Sequence, residues 1–144
     1  MGFNFSNTSK ERLNTCHPDL IKIMNLAIKW TDVDFGIAEG HRSVKRQFSL
    51  FQQGKSKIDG YSRLGKHNYS PSMAVDIYAF FNNKAQWDAE TISYLAGVIR
   101  ASTEHLFLIG DITHKTRWGG NFNMNGEILE QSFDDRPHFE LVNP

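Results

Sequence analysis

The chain has 144 residues, and its 16 basic and 16 acidic side chains give a formal net charge of zero. This length suits one domain with a sizeable buried core and is too short for two ordinary domains. A balanced charge gives no bulk attraction to nucleic acid or to an anionic membrane, so a local site must recognise any partner. No apolar run approaches the length of a membrane span. The single cysteine, Cys16, cannot form an internal disulfide, which suits a reducing compartment.

The first half of the chain predicts two helices with a strand between them. Apolar residues at helical spacing predict an amphipathic helix from residue 18 to about residue 30. His17 precedes this helix and is interpreted as structural. Residues 32–40 alternate like a strand, and Ser43 is then a plausible N-cap for a second helix from Val44 to Gln53.

The second half carries a long connection, two strands and a helix. Residues 55–69 form a Gly/Ser/Lys-rich connection with His67 near its end, and residues 73–80 alternate like a strand. A helix is predicted from residue 87 to about residue 104. The apolar run 106–109 is taken as a buried strand, although a last helical turn is the alternative.

The tail of the chain completes the fold prediction. Residues 111–117 are polar, residues 123–133 suggest a surface loop, and a final strand carries His138. Helices separated by short strands, with a strand-rich tail, predict an α+β class. We therefore expect a single domain spanning residues 1–144, in which helices pack on a small antiparallel sheet.

Two distant segments carry residue types that bind metals. The alternation of residues 73–80 places Asp76 within an apolar strand, where an ionised carboxylate must be paired or bound to a cation. The preceding loop supplies His67, and the last strand supplies His138. Two histidines and one aspartate leave a tetrahedral Zn²⁺ with an open fourth position, as in hydrolytic zinc sites. Ordinary surface or core roles for these histidines are the alternative.

A metal hydrolase also needs a base and a positive group near the reacting carbonyl. Asp135 lies three residues before His138, and Pro137 keeps the preceding residue out of helical geometry, so this carboxylate can fold back near the metal. Asp134 is the competing candidate. Arg42, at the junction of a strand and a helix, is the candidate positive group. A solvated turn at the two aspartates and a surface role for the arginine stay open.

Four short motifs occur together along the chain. They are Gly-Lys-His-Asn at 65–68, Pro-Ser-x-Ala-Val-Asp-Ile at 71–77, Trp-Gly-Gly at 118–120 and Asp-x-Pro-His-Phe-Glu at 135–140. In combination they resemble the zinc D,D-carboxypeptidase and L-alanyl-D-glutamate endopeptidase family, especially its compact phage endolysins. The agreement extends over nearly the whole chain.

The resemblance implies a role for each candidate residue. It implies zinc ligands at His67, Asp76 and His138, a general base at Asp135, and polarisation of the scissile carbonyl by Arg42. It also implies that Gln47 helps to shape the site and that Trp118 lines the substrate groove.

The substrate implied by the resemblance is the stem peptide of bacterial peptidoglycan, cleaved at its L-alanyl-D-glutamate bond. A D-alanyl-D-alanine carboxypeptidase is one alternative, and a wall-binding module without turnover is another. The N-terminus has no basic segment followed by an apolar core. We therefore expect a monomeric lysis enzyme that is stored in the host cytoplasm and reaches the wall through a membrane hole made by another protein.

Overall fold

The computed structural model describes residues 2–122, 124, 126 and 135–144. The helices are α1 (Asn7–Leu13), α2 (Pro18–Trp30), α3 (Val44–Gln52) and α4 (Ala89–Leu108), with a single 3-10 turn at Lys66–Asn68. The strands are β1 (Phe35–Glu39), β2 (Ala74–Phe81), β3 (Lys84–Gln86), β4 (Lys115–Trp118) and β5 (His138–Val142). The predicted α+β class, with helices on a small antiparallel sheet, is confirmed.

The sheet has the strand order β1-β2-β5-β4, and β3 pairs with the end of β2. All these pairs are antiparallel. Asp76 in β2 lies opposite Glu39 of β1 on one side and opposite His138 of β5 on the other. Directly opposite residues share a face of the sheet, so these three side chains form a row across its centre.

The hydrophobic core covers the other face of the sheet. Val75, Ile77, Phe139 and Leu141 are buried there, as the alternation of both strands predicts. Helices α2 and α4 pack together, and the apolar stripe of α2 is almost completely buried. One face of the sheet is therefore closed by helices, which leaves the row containing Asp76 on the open face.

The predicted helix starts are largely confirmed. The Ser43 hydroxyl accepts a hydrogen bond of 3.1 Å from the backbone N–H of Arg46 and caps α3. Helix α2 spans the predicted residues, while α4 begins after Asp88, which caps it. None of the helices in the described ranges combines the length and apolar character that crossing a membrane requires.

The predicted strand at residues 106–109 is wrong. Helix α4 continues to Leu108, and Gly110 follows with a φ of 78°, the left-handed conformation that commonly ends a helix. Leu106 is buried, whereas Leu108 is 80% exposed. A run that is apolar throughout has no periodicity, so its pattern could not separate a strand from a last helical turn.

Three short elements, α1, β3 and β4, were not predicted. Asn82 and Asn83 have positive φ values of 55° and 59° and join β2 to β3 as a tight hairpin. Strand β4 lies in the polar run and is defined by its pairing with β5. The expected surface loop at residues 123–133 falls outside the described residues except at positions 124 and 126.

Candidate metal centre and catalytic site

The three candidate ligands meet on the open face of the sheet. Asp76 and His138 are register partners, and the 3-10 turn before β2 carries His67 to the same place. Asp76 Oδ1 lies 3.2 Å from His67 Nε2 and 3.1 Å from His138 Nδ1. One potential ligand atom of each residue lies within 4.8 Å of the other two. The three side chains that the sequence predicted as ligands are therefore brought together.

Hydrogen bonds on the far side of each ring decide which nitrogen carries the proton. His67 Nδ1 lies 2.7 Å from the carbonyl oxygen of Gly40, and His138 Nε2 lies 2.8 Å from Glu140 Oε1. A carbonyl and a carboxylate only accept, so each neutral ring must donate outward. The lone pairs of His67 Nε2 and His138 Nδ1 then both face Asp76. A metal ion or added protons must supply positive charge between these atoms, and two imidazoles with one carboxylate fit Zn²⁺.

The electrostatics of these side chains agree with this arrangement. Burial alone would lower the pKa of His138, but its hydrogen bonds to Asp76 and Glu140 raise it above the ordinary histidine value. Burial alone would raise the pKa of Asp76, but hydrogen bonds from the two histidines hold it well below its usual range. The centre therefore favours positive charge, as a cation site must.

Arg42 follows β1 and reaches the same centre. Its Nη2 donates to Glu39 Oε1 at 2.6 Å and lies 3.6 Å from Asp76 Oδ2, while its Nη1 donates to Gln47 Oε1 at 3.0 Å. The Nε–H is buried and meets no acceptor among the residues that the structure describes. The guanidinium is thus held rigidly and keeps an unsatisfied donor, which a ligand oxygen could complete.

Gln47 links Arg42 to the segment that follows α3. It is only 2% exposed, and its amide oxygen accepts the hydrogen bond from Arg42. Its amide nitrogen donates to Ser56 Oγ and to the carbonyl oxygen of Ile58, both at 2.8 Å. Every polar atom of this amide is therefore used to hold the arginine and one wall of the site in fixed positions.

Asp135 opens the turn that ends at His138. Its backbone N–H donates to the Gly119 carbonyl oxygen at 2.9 Å, and its own carbonyl oxygen accepts from the His138 N–H at 3.0 Å. A Cβ on residue 119 would lie 1.7 Å from the Asp135 carbonyl oxygen, so only glycine permits this close approach. Burial raises the pKa of Asp135, and the negative charge of Asp76 raises it further.

Trp118 lies on the opposite face of the sheet from the ligands. Its register partner Phe139 points into the core, so Trp118 cannot share a face with His138. Its indole N–H donates to the Arg136 carbonyl oxygen at 2.6 Å, and the ring borders a smaller pocket. The expectation that Trp118 lines the main groove is therefore corrected, because the sequence motif did not reveal the register of β4. Asp134, the competing base, lies outside the described residues.

The candidate residues other than Trp118 and Asp134 line one open cleft of about 660 Å³. The open face of the sheet forms one wall, with Asp76, His138 and the neighbouring Asp135. Helix α3 and the segment after it contribute much of the remaining lining. This volume is typical of pockets that bind small molecules or short peptide segments.

Three charged residues of the cleft that had no predicted role support the candidate site: Glu39, Arg117 and Glu140. Glu140 accepts the outward proton of His138 and pairs with Arg117 at 2.8 Å. Glu39 holds Arg42. Glu140 could have been found, because it lies two residues after His138 and so on the same face of the strand. Arg117 could not, because its place depends on an unpredicted strand.

A second group of two histidines and one carboxylate lies at the start of α2, formed by His17, Asp19 and His114. His17 Nδ1 accepts a hydrogen bond of 3.0 Å from the Asp19 N–H, and His114 Nδ1 lies 2.8 Å from Asp19 Oδ2. In the first contact the proton comes from the Asp19 backbone N–H, and in the second it comes from the His114 ring. The three side chains therefore need no cation between them to stay together. The group caps a helix and fastens the segment before β4, which confirms that His17 is structural.

An antiparallel sheet that presents two histidines, an aspartate, a nearby carboxylate and a fixed arginine in one cleft has the arrangement of a metal-dependent hydrolase. Comparison with known proteins identifies the family within this class. The chain belongs to the phage L-alanyl-D-glutamate peptidase family, whose profile matches residues 1–142. The family inferred from the four motifs is thereby confirmed.

Two relatives illustrate how far the similarity extends. The L-alanyl-D-glutamate peptidase of Escherichia phage T5 is 26% identical over 146 residues, which cover 99% of this chain and all of that protein. The crystal structure of the Serratia marcescens L-Ala D-Glu endopeptidase ChiX matches with a TM-score of 0.77 and 26% identity, covering 98% of this chain and 91% of that one. The similarity is therefore to whole proteins and includes the complete fold.

Proposed function

We propose that this protein is a zinc-dependent endolysin that hydrolyses the L-alanyl-D-glutamate bond of peptidoglycan stem peptides. The observation that carries the proposal is the orientation of two rings: His67 Nδ1 and His138 Nε2 contact the acceptors Gly40 O and Glu140 Oε1, which leaves His67 Nε2 and His138 Nδ1 facing Asp76. This centre lies in a cleft of peptide-binding size, within a chain of the phage L-alanyl-D-glutamate peptidase family.

His67 Nε2, His138 Nδ1 and Asp76 Oδ1 are the atoms that would hold the metal. When bound there, Zn²⁺ would supply Lewis-acid activation of a water molecule and of the peptide carbonyl. The Gly40 carbonyl oxygen and the Glu140 carboxylate keep the two rings in the coordinating orientation.

Asp135 is the proposed general base. Its carboxylate lines the cleft and makes no hydrogen bond to another described residue, so it is available to take a proton from the attacking water. It then passes that proton to the nitrogen of the leaving amine. Arg42 donates to the carbonyl oxygen as negative charge develops there, and Glu39 and Gln47 hold its guanidinium in place beforehand.

We further propose that residues 1–144 act as one catalytic domain and as a monomer. The described core is a single cluster that contains residues from both ends of the chain, from Phe5 to Leu141, which supports one folding unit. The proposed substrate is part of the cell wall, so the enzyme would be stored in the host cytoplasm and act after release to the wall.

Digestion of purified peptidoglycan, with product identification by mass spectrometry, tests the activity. We expect fragments with a new amino group on D-glutamate. Release of single D-alanine residues would instead indicate a D-alanyl-D-alanine carboxypeptidase, and binding without new products would indicate a wall-binding module. Each of these two results would overturn the proposal.

The metal and the base are tested in the same digest. We expect chelation to abolish wall clearing and Zn²⁺ to restore it. Unchanged activity after thorough chelation, with no zinc in elemental analysis, would reject the metal site. The Asp135→Ala variant should keep its zinc but clear the wall at least about 10²-fold more slowly. Clearing at the parental rate would reject Asp135 as the base.

A further inference from the structure

The part of the cleft lining that residues 55–66 contribute is positively charged. Residues 55–66 contribute four cationic side chains to the lining, which we call the basic wall: Lys55, Lys57, Arg63 and Lys66. The one carboxylate of this segment, Asp59, does not line the cleft. It accepts hydrogen bonds from the backbone N–H groups of Tyr61 and Ser62 at 2.9 and 2.8 Å, and so stabilises its own turn.

Of the four carboxylates that line the cleft, three do not neutralise this wall because they already have cationic partners, and the fourth, Asp135, is the proposed base. These pairs are Glu39 with Arg42 and Arg46, Glu140 with Arg117, and Asp76 with Arg42 and the two candidate histidine ligands. In the basic wall, the side chains of Lys55 and Arg63 make no ion pair or hydrogen bond with any described residue. Lys66 Nζ donates to a backbone carbonyl oxygen, that of Leu141, at 3.3 Å. The wall therefore presents positive charge to whatever enters the cleft.

The position of the basic wall is fixed relative to the reaction centre. The same Gln47 amide that accepts from Arg42 donates to Ser56, which directly follows Lys55 in the chain, and to the carbonyl oxygen of Ile58, two residues further on. The backbone that carries Lys55 and Lys57 is therefore held in a defined position with respect to Arg42. Such fixed geometry is what positioning of a substrate requires.

The substrate of the proposed reaction carries a carboxylate close to the bond that is cleaved. Hydrolysis of an L-alanyl-D-glutamate bond leaves glutamate on the amine side, and glutamate has two carboxyl groups. The peptide chain continues through one of them, so the other is a free carboxylate unless it is amidated. We propose that Lys55 and Arg63 of the basic wall bind this carboxylate and make the enzyme selective for the free acid over the amide. This inference rests on the proposed function and adds a specificity site to it.

Two synthetic peptides containing acyl-L-alanyl-D-glutamate test the inference, one with the unlinked glutamate carboxyl free and one with it amidated. For the zinc-loaded parent protein we expect kcat/KM to be about tenfold higher for the free acid, mainly through KM, because a charge-assisted contact is lost in the amide. In the Lys55→Gln/Arg63→Gln double variant this ratio should fall to about one, while turnover of the amidated peptide stays at the parental level.

Lys45→Gln provides the matched control. Lys45 is exposed on α3 but does not line the cleft, so its loss changes the net charge without changing the wall. Retention of the free-acid preference in this variant and its loss in the double variant supports the inference. Equal cleavage of both peptides by the parent, or a preference that survives in the double variant, overturns it while the peptidase function stands. Failure of the parent to cleave either peptide overturns the proposed function itself, and the inference with it.

Discussion

The Gly119→Ala substitution tests whether the position of Asp135 governs the rate. An alanine Cβ would lie 1.7 Å from the Asp135 carbonyl oxygen, where ordinary contact begins at 3.4 Å. The Asp135 peptide must therefore retreat by about 1.7 Å, and the hydrogen bond from its N–H to the Gly119 carbonyl oxygen must lengthen. A displacement of about 1 Å at a catalytic group can cost about 10²-fold in rate. We expect a loss of at least that size in kcat.

Wall clearing, zinc content and thermal unfolding should be measured together on this variant. The added Cβ would lie 3.2 Å from the His138 Cβ, which requires a shift of only a few tenths of an ångström. We therefore expect zinc to be retained while activity falls. Gly97→Ala is the matched control, because a Cβ there meets nothing within 4 Å. It should keep full activity and gain about 0.5–1 kcal/mol of stability, since Gly97 lies inside α4.

Two results would refute this reasoning. A Gly119→Ala protein that clears the wall at the parental rate with its zinc in place would mean that the position of Asp135 does not limit catalysis. A variant that loses zinc and activity together would mean that the contact supports the ligand group through His138 and does not act through the base.

Two further predictions follow from other contacts. Glu140→Ala removes the acceptor of the outward proton of His138, so zinc affinity, measured in competition with a chromophoric chelator, should fall by about 10–100-fold. Glu140→Gln keeps an acceptor and should lose less affinity. Equal losses in the two variants would contradict the argument. The second prediction concerns Asp19. Burial alone would raise the pKa of this carboxyl group, but its hydrogen bond from His114 lowers the pKa. The ionised carboxylate therefore stabilises the fold above about pH 4, and this stabilisation is lost as the pH falls through the folded-state pKa. In urea unfolding of metal-free protein, Asp19→Asn should cost about 1–3 kcal/mol at pH 7 and less at pH 3; a constant difference would contradict the assignment.

The sequence was most informative where a strand has one buried face. Val75 and Ile77 alternate with Asp76, and Phe139 and Leu141 alternate with the residues around them, so the buried and open faces could be assigned before pairing was known. Pairing of β2 with β5 then places Asp76 beside His138. Local alternation therefore predicted both halves of the centre, although not the distance between them.

The sequence was least informative where position depends on pairing with a distant strand. Trp118 was assigned to the groove from its motif, but its pairing with Phe139 turns it toward the core side. A shift of one residue in register would have reversed this result, because successive side chains in a strand point to opposite faces. The support that Glu140 receives from Arg117 depends on the same register and was missed for the same reason.

The relation between Arg42 and His67 shows why two segments 25 residues apart belong to one site. The Arg42 N–H donates to the His67 carbonyl oxygen at 2.8 Å, and the Asn68 side chain donates to the Arg42 carbonyl oxygen at 3.0 Å. His67 Nδ1 in turn donates to the Gly40 carbonyl oxygen. These three hydrogen bonds join the turn after β1 to the turn before β2. The bond between His67 and Gly40 orients a candidate metal ligand and also fixes the backbone that carries Arg42. A change that moves one of these turns must move the other, and the arginine and the histidine therefore form a single structural unit.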